Sequence, residues 1–140
     1  MKPGFQTRFA LTLTVDFRNF AMMEQVPYLA ADGTLYIIAK GARSDLASIP
    51  RMLWSLLPPA GEDGAEYGLC AYLHDVLYRR KIKVQESGGT LRDCPEMTKD
   101  RADLLLKESM ELCGVPAHIV TMIYEGVRLG GQAAWDSDRI

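Results

Sequence analysis

The chain has 140 residues, which is the usual size of a single domain and is long enough to bury one hydrophobic core. Apolar residues make up 48% of it and charged residues 24%, a balance that argues against intrinsic disorder. The formal net charge of −2 provides no broad basic face, so binding to nucleic acid through its phosphates is not expected.

The N-terminal third has the pattern of a small antiparallel sheet. Its first residues are polar and no uninterrupted apolar run follows, so neither a signal sequence nor a transmembrane segment is expected, and the new chain should stay in the cytoplasm. Apolar and polar residues alternate over residues 5–15, which predicts a half-buried strand. Strands are also predicted at 26–30 and 34–39, because Asp32-Gly33 between them is a strong turn signal. The sheet is expected to occupy residues 1–42.

The remainder, residues 43–135, is predicted to be helical. A short helix over 51–57 follows a polar loop, and helical periodicity predicts longer helices over 65–80, 98–113 and 116–131. The connection 81–95 contains Ser87-Gly88-Gly89 and is expected to be mobile. Residues expected to face inward are Leu69, Leu73, Val76, Leu77, Ala102, Leu105, Leu106, Leu112, Ile119, Val120, Ile123 and Val127, with Trp135 folding back onto the core.

These elements predict an α+β fold in a single domain over residues 1–140, with about three helices packed after the sheet. The three cysteines include no CxxC pair, which favours reduced thiols and argues against a cysteine-based zinc site.

His74 and Asp75 are the residues best suited to chemistry. A histidine has a pKa near neutrality and can take a proton from water, provided that an acceptor fixes its other ring nitrogen. Asp103 on the next long helix is the best candidate for that acceptor if the two helices pack antiparallel. This hypothesis also requires the ring of His74 to lie at a hollow that water reaches.

Asp75 lies about 100° around the helix from His74 and is a candidate ligand for a hard cation, together with Asp45 in the preceding polar loop. The structural interpretation stays open: a His-Asp pair also ties buried helices together, Asp45 also suits a turn, and Tyr78 also suits packing. Ser44 and Ser48 are weak candidates for a nucleophile, since no GxSxG elbow is present.

Two further features have simple structural interpretations. The basic cluster of Arg79, Arg80, Lys81 and Lys83 suits the C-terminal end of a helix, and binding to an anionic membrane surface is the alternative. His118 is the one other histidine, and no HExxH motif accompanies it, so a zinc peptidase is disfavoured.

The chain contains the segments 44–51 with Leu53 and Trp54, 73–75 with 77–79, 101–103, and 127–131 with Trp135. Together these segments resemble a family of phage and prophage proteins, the domain of unknown function numbered 1353. The resemblance implies a phage context without a defined activity: synthesis in the host cytoplasm, incorporation into the virion as one outcome, and phage structural proteins or a host protein as partners.

The helix that carries Cys70, His74-Asp75 and Tyr78 also resembles the His-Asp helix of secreted calcium-dependent phospholipases. That resemblance implies His74 as general base, Asp103 as the carboxylate that orients it, Tyr78 as support for Asp103, and Asp75 as a ligand for Ca²⁺, with a phospholipid as substrate. Two of the motif's cysteines and its glycine-rich calcium loop are not reproduced. The alternative is a non-enzymatic virion or baseplate component, or a protein that binds a host factor.

Overall fold

The computed structural model describes residues 2–6, 11–13, 20–44 and 65–137. The predicted helix at 51–57, Ser48 and Asp45 lie outside these ranges. The described elements are β1 (Gly4–Phe5), β2 (Leu11–Leu13), β3 (Phe20–Met22), β4 (Val26–Leu29), β5 (Leu35–Ile38), β6 (Arg43–Ser44), α1 (Ala65–Tyr78), β7 (Lys83–Gln85), β8 (Leu91–Asp93), α2 (Lys99–Leu112), α3 (Ala117–Gly130) and α4 (Gln132–Ser137).

The fold is α+β, as the sequence predicts, but the strands form two antiparallel sheets. One has the order β1-β4-β5-β7-β8 and the other the order β2-β3-β6. The prediction of one strand over residues 5–15 is wrong, because β1 and β2 lie in different sheets. The hairpin of β4 and β5 is confirmed: Gly33 has a φ of +92°, and the backbone N–H of Thr34 donates to Asp32 Oδ1 at 2.9 Å.

The prediction of a mobile connection over residues 81–95 is also wrong. This stretch forms the hairpin of β7 and β8, which extends the larger sheet through pairing of β7 with β5. Gly89, with a φ of +88°, allows the tight turn, which the backbone bond from Glu86 N–H to Thr90 O closes at 2.9 Å. The three residues of β8 are exposed, so no alternation of buried apolar and exposed polar residues marks this strand in the sequence.

The core lies on both sides of α1, whose residues 69–78 are all buried. One set of its side chains packs against the larger sheet, and Cys70 and Ala71 pack against α2 and α3. A helix that is apolar around most of its circumference is stable only when covered on all sides, and α1 occupies such a position. The inward-facing residues are as predicted with two exceptions: Leu112 is 49% exposed, and Ile119 is only partly buried.

The C-terminal elements, α3 and α4, pack against α1 and α2. Thr98 caps α2 by accepting a hydrogen bond from the backbone N–H of Arg101, and α3 follows Pro116 directly. Trp135 in α4 packs onto the core, as predicted, with its ring edge-on to that of Tyr78 at 5.3 Å. None of the described helices is both long and apolar enough to cross a lipid bilayer.

Candidate functional site

His74 on α1 meets Asp103 on α2. The distance from His74 Nε2 to Asp103 Oδ1 is 2.8 Å, and both side chains are fully buried. Cys70, one turn earlier in α1, contacts Cys113 at the far end of α2, so the two helices run antiparallel. The predicted contact is therefore present, and the catalytic roles assigned to its members stay predictions.

The carboxylate of Asp103 is the centre of a buried polar network. Its Oδ1 also accepts a hydrogen bond from the hydroxyl of Tyr78 at 2.6 Å. Its Oδ2 accepts from Lys99 Nζ at 2.8 Å and from Arg128 Nη1 at 3.1 Å. Three helices thus supply donors to one carboxylate, which satisfies the requirement that a buried charge be paired and hydrogen-bonded.

The network fixes the charge states of its members. Burial acts to raise the pKa of Asp103, but the hydrogen bonds from His74, Lys99 and Tyr78 outweigh it and hold this pKa well below its ordinary value. Burial lowers the pKa of His74, against the opposing effect of Asp103. Burial and the contact with Asp103 both raise the pKa of Tyr78. At neutral pH the centre is therefore an Asp103 carboxylate beside a neutral imidazole and a neutral phenol.

These charge states determine which ring nitrogen of His74 carries its proton. An ionised carboxylate only accepts hydrogen bonds, so Nε2 must be the protonated nitrogen that donates to Asp103 Oδ1. In this tautomer Nδ1 has the lone pair.

Sequence reasoning missed three members of this site. Lys99 is four residues before Asp103 on α2, a spacing that places two side chains on one helix face. Arg128 lies in one of the segments that carry the family resemblance, and it bridges Asp103 to Asp100. Gly131 permits the close packing of this region: a Cβ there would lie 2.4 Å from Val127 O and 2.7 Å from the Tyr78 hydroxyl.

Asp75 has a different set of contacts from His74. Its carboxylate is fully buried, and its Oδ2 accepts a hydrogen bond from Arg79 Nε at 3.1 Å. Calcium takes about six to eight oxygen ligands. No group of three or more His, Cys, Asp or Glu side chains within the described ranges is arranged to hold a metal ion. The described residues do not by themselves fit Ca²⁺, and the metal role of Asp75 and Asp45 stays a prediction.

Side chains of the basic cluster after α1 make contacts within the fold. Arg79 pairs with Asp75, and Lys83 pairs with Asp93 across the β7–β8 hairpin. The guanidinium of Arg80 lies 3.1 Å from the centre of the Trp135 ring, and it also donates to the backbone oxygen of that residue. These contacts favour the structural interpretation of the cluster.

The structure differs from the hydrolase hypothesis in the access of water to His74. His74 has an exposed fraction of 0%, so its ring does not lie at a hollow open to water. Ser44, a weak nucleophile candidate, is buried in β6. His118 is exposed in the first turn of α3.

The sequence profile of a family described as "Protein of unknown function (DUF1353)" matches residues 20–127. The chain belongs to the DUF1353 family. This confirms the resemblance drawn from the sequence segments. The matched range contains His74, Tyr78, Lys99 and Asp103, and it ends one residue before Arg128. No curated protein and no solved structure matches the chain.

Proposed function

We propose that this DUF1353 protein is a small phage-encoded hydrolase of phospholipid esters, made in the host cytoplasm, in which His74 is the general base and Asp103 orients it. The observation that carries the proposal is the contact of His74 Nε2 with Asp103 Oδ1 at 2.8 Å, with Tyr78 donating to the same oxygen. The phospholipase resemblance requires this arrangement of three side chains on two helices. A carboxylate that fixes one ring nitrogen of a histidine leaves the other nitrogen as the base, which is the arrangement that general-base catalysis uses.

The proposed chemistry uses the tautomer that Asp103 enforces. His74 Nδ1 removes a proton from water while the water oxygen forms a bond to the ester carbonyl carbon. The tetrahedral intermediate then expels the alcohol oxygen, which takes the proton back from the imidazolium. Asp103 stabilises the imidazolium between the two steps, and Tyr78 holds the Asp103 carboxylate in place.

The burial of His74 adds a requirement to this proposal. The hypothesis requires water to reach the ring, and the ring is closed off in this conformation. Catalysis therefore needs a second conformation in which water and the ester reach His74 Nδ1.

The test compares two histidine variants on phospholipid vesicles, with and without added Ca²⁺. His74→Gln retains a donor near the position of Nε2 but has no basic nitrogen, and we expect it to reduce turnover about 10²–10⁴-fold without changing the melting temperature. His118→Gln, at an exposed position, is the matched control and should keep full activity. Absence of turnover by the wild-type chain in both conditions, or equal turnover by the two variants, would overturn the proposal. Dependence of turnover on Ca²⁺ would support Asp75 as a ligand.

A second candidate function is supported by the complete burial of His74 and the four donors to Asp103. In this alternative the network only ties three helices together, and the protein acts through its surface as a virion or baseplate component or by binding a host protein. Diethyl pyrocarbonate, which acylates accessible imidazoles, distinguishes the two candidates. The second predicts modification of His118 alone, with or without vesicles, and the hydrolase predicts that vesicles make His74 reactive as well.

A further inference from the structure

Two thiols from different helices lie in contact beside the site. Cys70 Sγ on α1 and Cys113 Sγ at the C-cap of α2 are 3.7 Å apart, and the two residues are separated by 43 positions in the chain. A disulfide has a sulfur–sulfur distance of about 2.0 Å, so an approach of roughly 1.7 Å converts this contact into a bond.

We propose that Cys70 and Cys113 form an oxidation site at which a hydroperoxide joins α1 to the end of α2 through a disulfide. This inference does not rest on the proposed hydrolase activity. The third thiol, Cys94, packs in the part of the core that faces the larger sheet, whereas Cys70 and Cys113 both belong to the cluster between α1, α2 and α3.

The two sulfur atoms differ in access, which assigns their roles. Cys70 is fully buried and Cys113 is half-buried, so the oxidant reaches Cys113. The Cys113 thiolate attacks the peroxide, forming a sulfur–oxygen bond as the oxygen–oxygen bond breaks and one water (or alcohol) leaves. Cys70 then attacks the Cys113 sulfur, and the hydroxyl group leaves as water with the proton of Cys70. Two thiols supply two electrons, and the peroxide accepts them.

The position of Cys113 allows the movement that this bond requires. It lies just beyond the last residue of α2, and Gly114, with a φ of +83°, follows it in the turn toward Val115. The approach of the two sulfurs can therefore occur at the end of α2, while α1 keeps its position in the core. Burial raises the pKa of Cys70 well above its ordinary value, which lowers its thiolate fraction and slows the second step.

The test treats the reduced, folded full-length chain with hydrogen peroxide and then maps its disulfides by mass spectrometry of peptides. We expect a Cys70–Cys113 linkage in the wild-type chain that dithiothreitol reverses. The oxidised chain should melt roughly 5–15 °C higher, because the disulfide restricts a long loop of the unfolded chain. Cys94→Ser is the matched control and should behave as the wild-type chain, whereas Cys113→Ser should show neither the linkage nor the rise in melting temperature.

Three results would overturn the proposal. The first is that both Cys70 and Cys113 still react with an alkylating reagent after the folded chain has been treated with peroxide. The second is a disulfide that involves Cys94. The third is a rise in melting temperature on oxidation that Cys113→Ser also shows. Because the linkage is mapped in the wild-type chain, a folding defect in a variant does not decide the outcome.

Discussion

Asp103→Asn tests whether the buried carboxylate organises the three-helix site. The substitution keeps the size of the side chain and an oxygen for His74 and Tyr78, but it removes the charge and turns an amide N–H₂ toward Lys99 or the other donors. The side chain of Lys99 is 9% exposed, so at a nearly dry position its ammonium keeps the hydrogen bond to Val127 O at 3.2 Å but loses its carboxylate partner. Removing one member of a buried ion pair costs about 3–5 kcal/mol. Because the Asn oxygen retains part of the network, we expect a decrease of about 3 kcal/mol in the free energy of unfolding.

The measurement is urea denaturation at neutral pH, read as a change in midpoint at constant slope. Asp100→Asn is the matched control, because Asp100 also pairs with Arg128, at 2.6 Å, but its side chain is 76% exposed. An exposed pair contributes at most about 1 kcal/mol, so this control should stay close to the wild-type chain. If Asp103→Asn destabilises the chain no more than Asp100→Asn does, the reasoning from burial is refuted.

Tyr78→Phe removes one buried donor to Asp103, and we expect the free energy of unfolding to fall by about 1–2 kcal/mol in the same denaturation experiment. Gly131→Ala places a methyl group against Val127 O and the Tyr78 hydroxyl, an overpacking that costs about 1–3 kcal/mol of the free energy of unfolding. A methyl group at Gly88 would meet no atom within 4 Å, so Gly88→Ala is the control and should be neutral. Equal urea midpoints for the two variants would contradict the overpacking argument. The pKa of Asp103 is held below its ordinary value against the effect of burial, so below about pH 4 the unfolded chain takes up a proton that the folded chain does not. Wild-type stability should therefore fall as the pH is lowered through this range, and Asp103→Asn should lack that component in urea midpoints measured at several pH values.

The sequence predicted the central contact because helical geometry constrains it. His74 and Tyr78 are four residues apart and share one face of α1, so a single acidic residue on an antiparallel neighbour can reach both. Asp103 was the acidic residue at the matching position of α2. The β4–β5 hairpin was predicted for a similar reason, since Asp32-Gly33 specifies its turn locally.

Features that depend on tertiary contacts could not be predicted in the same way. The β7–β8 hairpin has an exposed outer strand, so no alternation of apolar residues marks it, and its pairing with β5 joins segments far apart in the chain. The role of Arg128 depends on how α3 packs on α2, and no local spacing relates Arg128 to Asp103. The burial of His74 depends likewise on everything packed around α1. The sequence was therefore enough to predict the contact with Asp103, but not that water cannot reach the ring.

The cost of keeping polar groups inside α1 bears on both candidate functions. Residues 69–78 are buried on all sides, and apolar side chains of similar volume in place of a buried ionic network are often neutral or stabilising. Stability alone therefore does not explain why His74 and Asp103 lie in the core, and two explanations remain: the pair specifies the register of α1 against α2, or it performs chemistry. His74→Gln and His74→Leu together separate these explanations. If Gln preserves stability and abolishes hydrolysis, the imidazole serves chemistry. If Gln is silent and Leu yields a chain that keeps its stability but loses its single ordered conformation by NMR, the pair serves register.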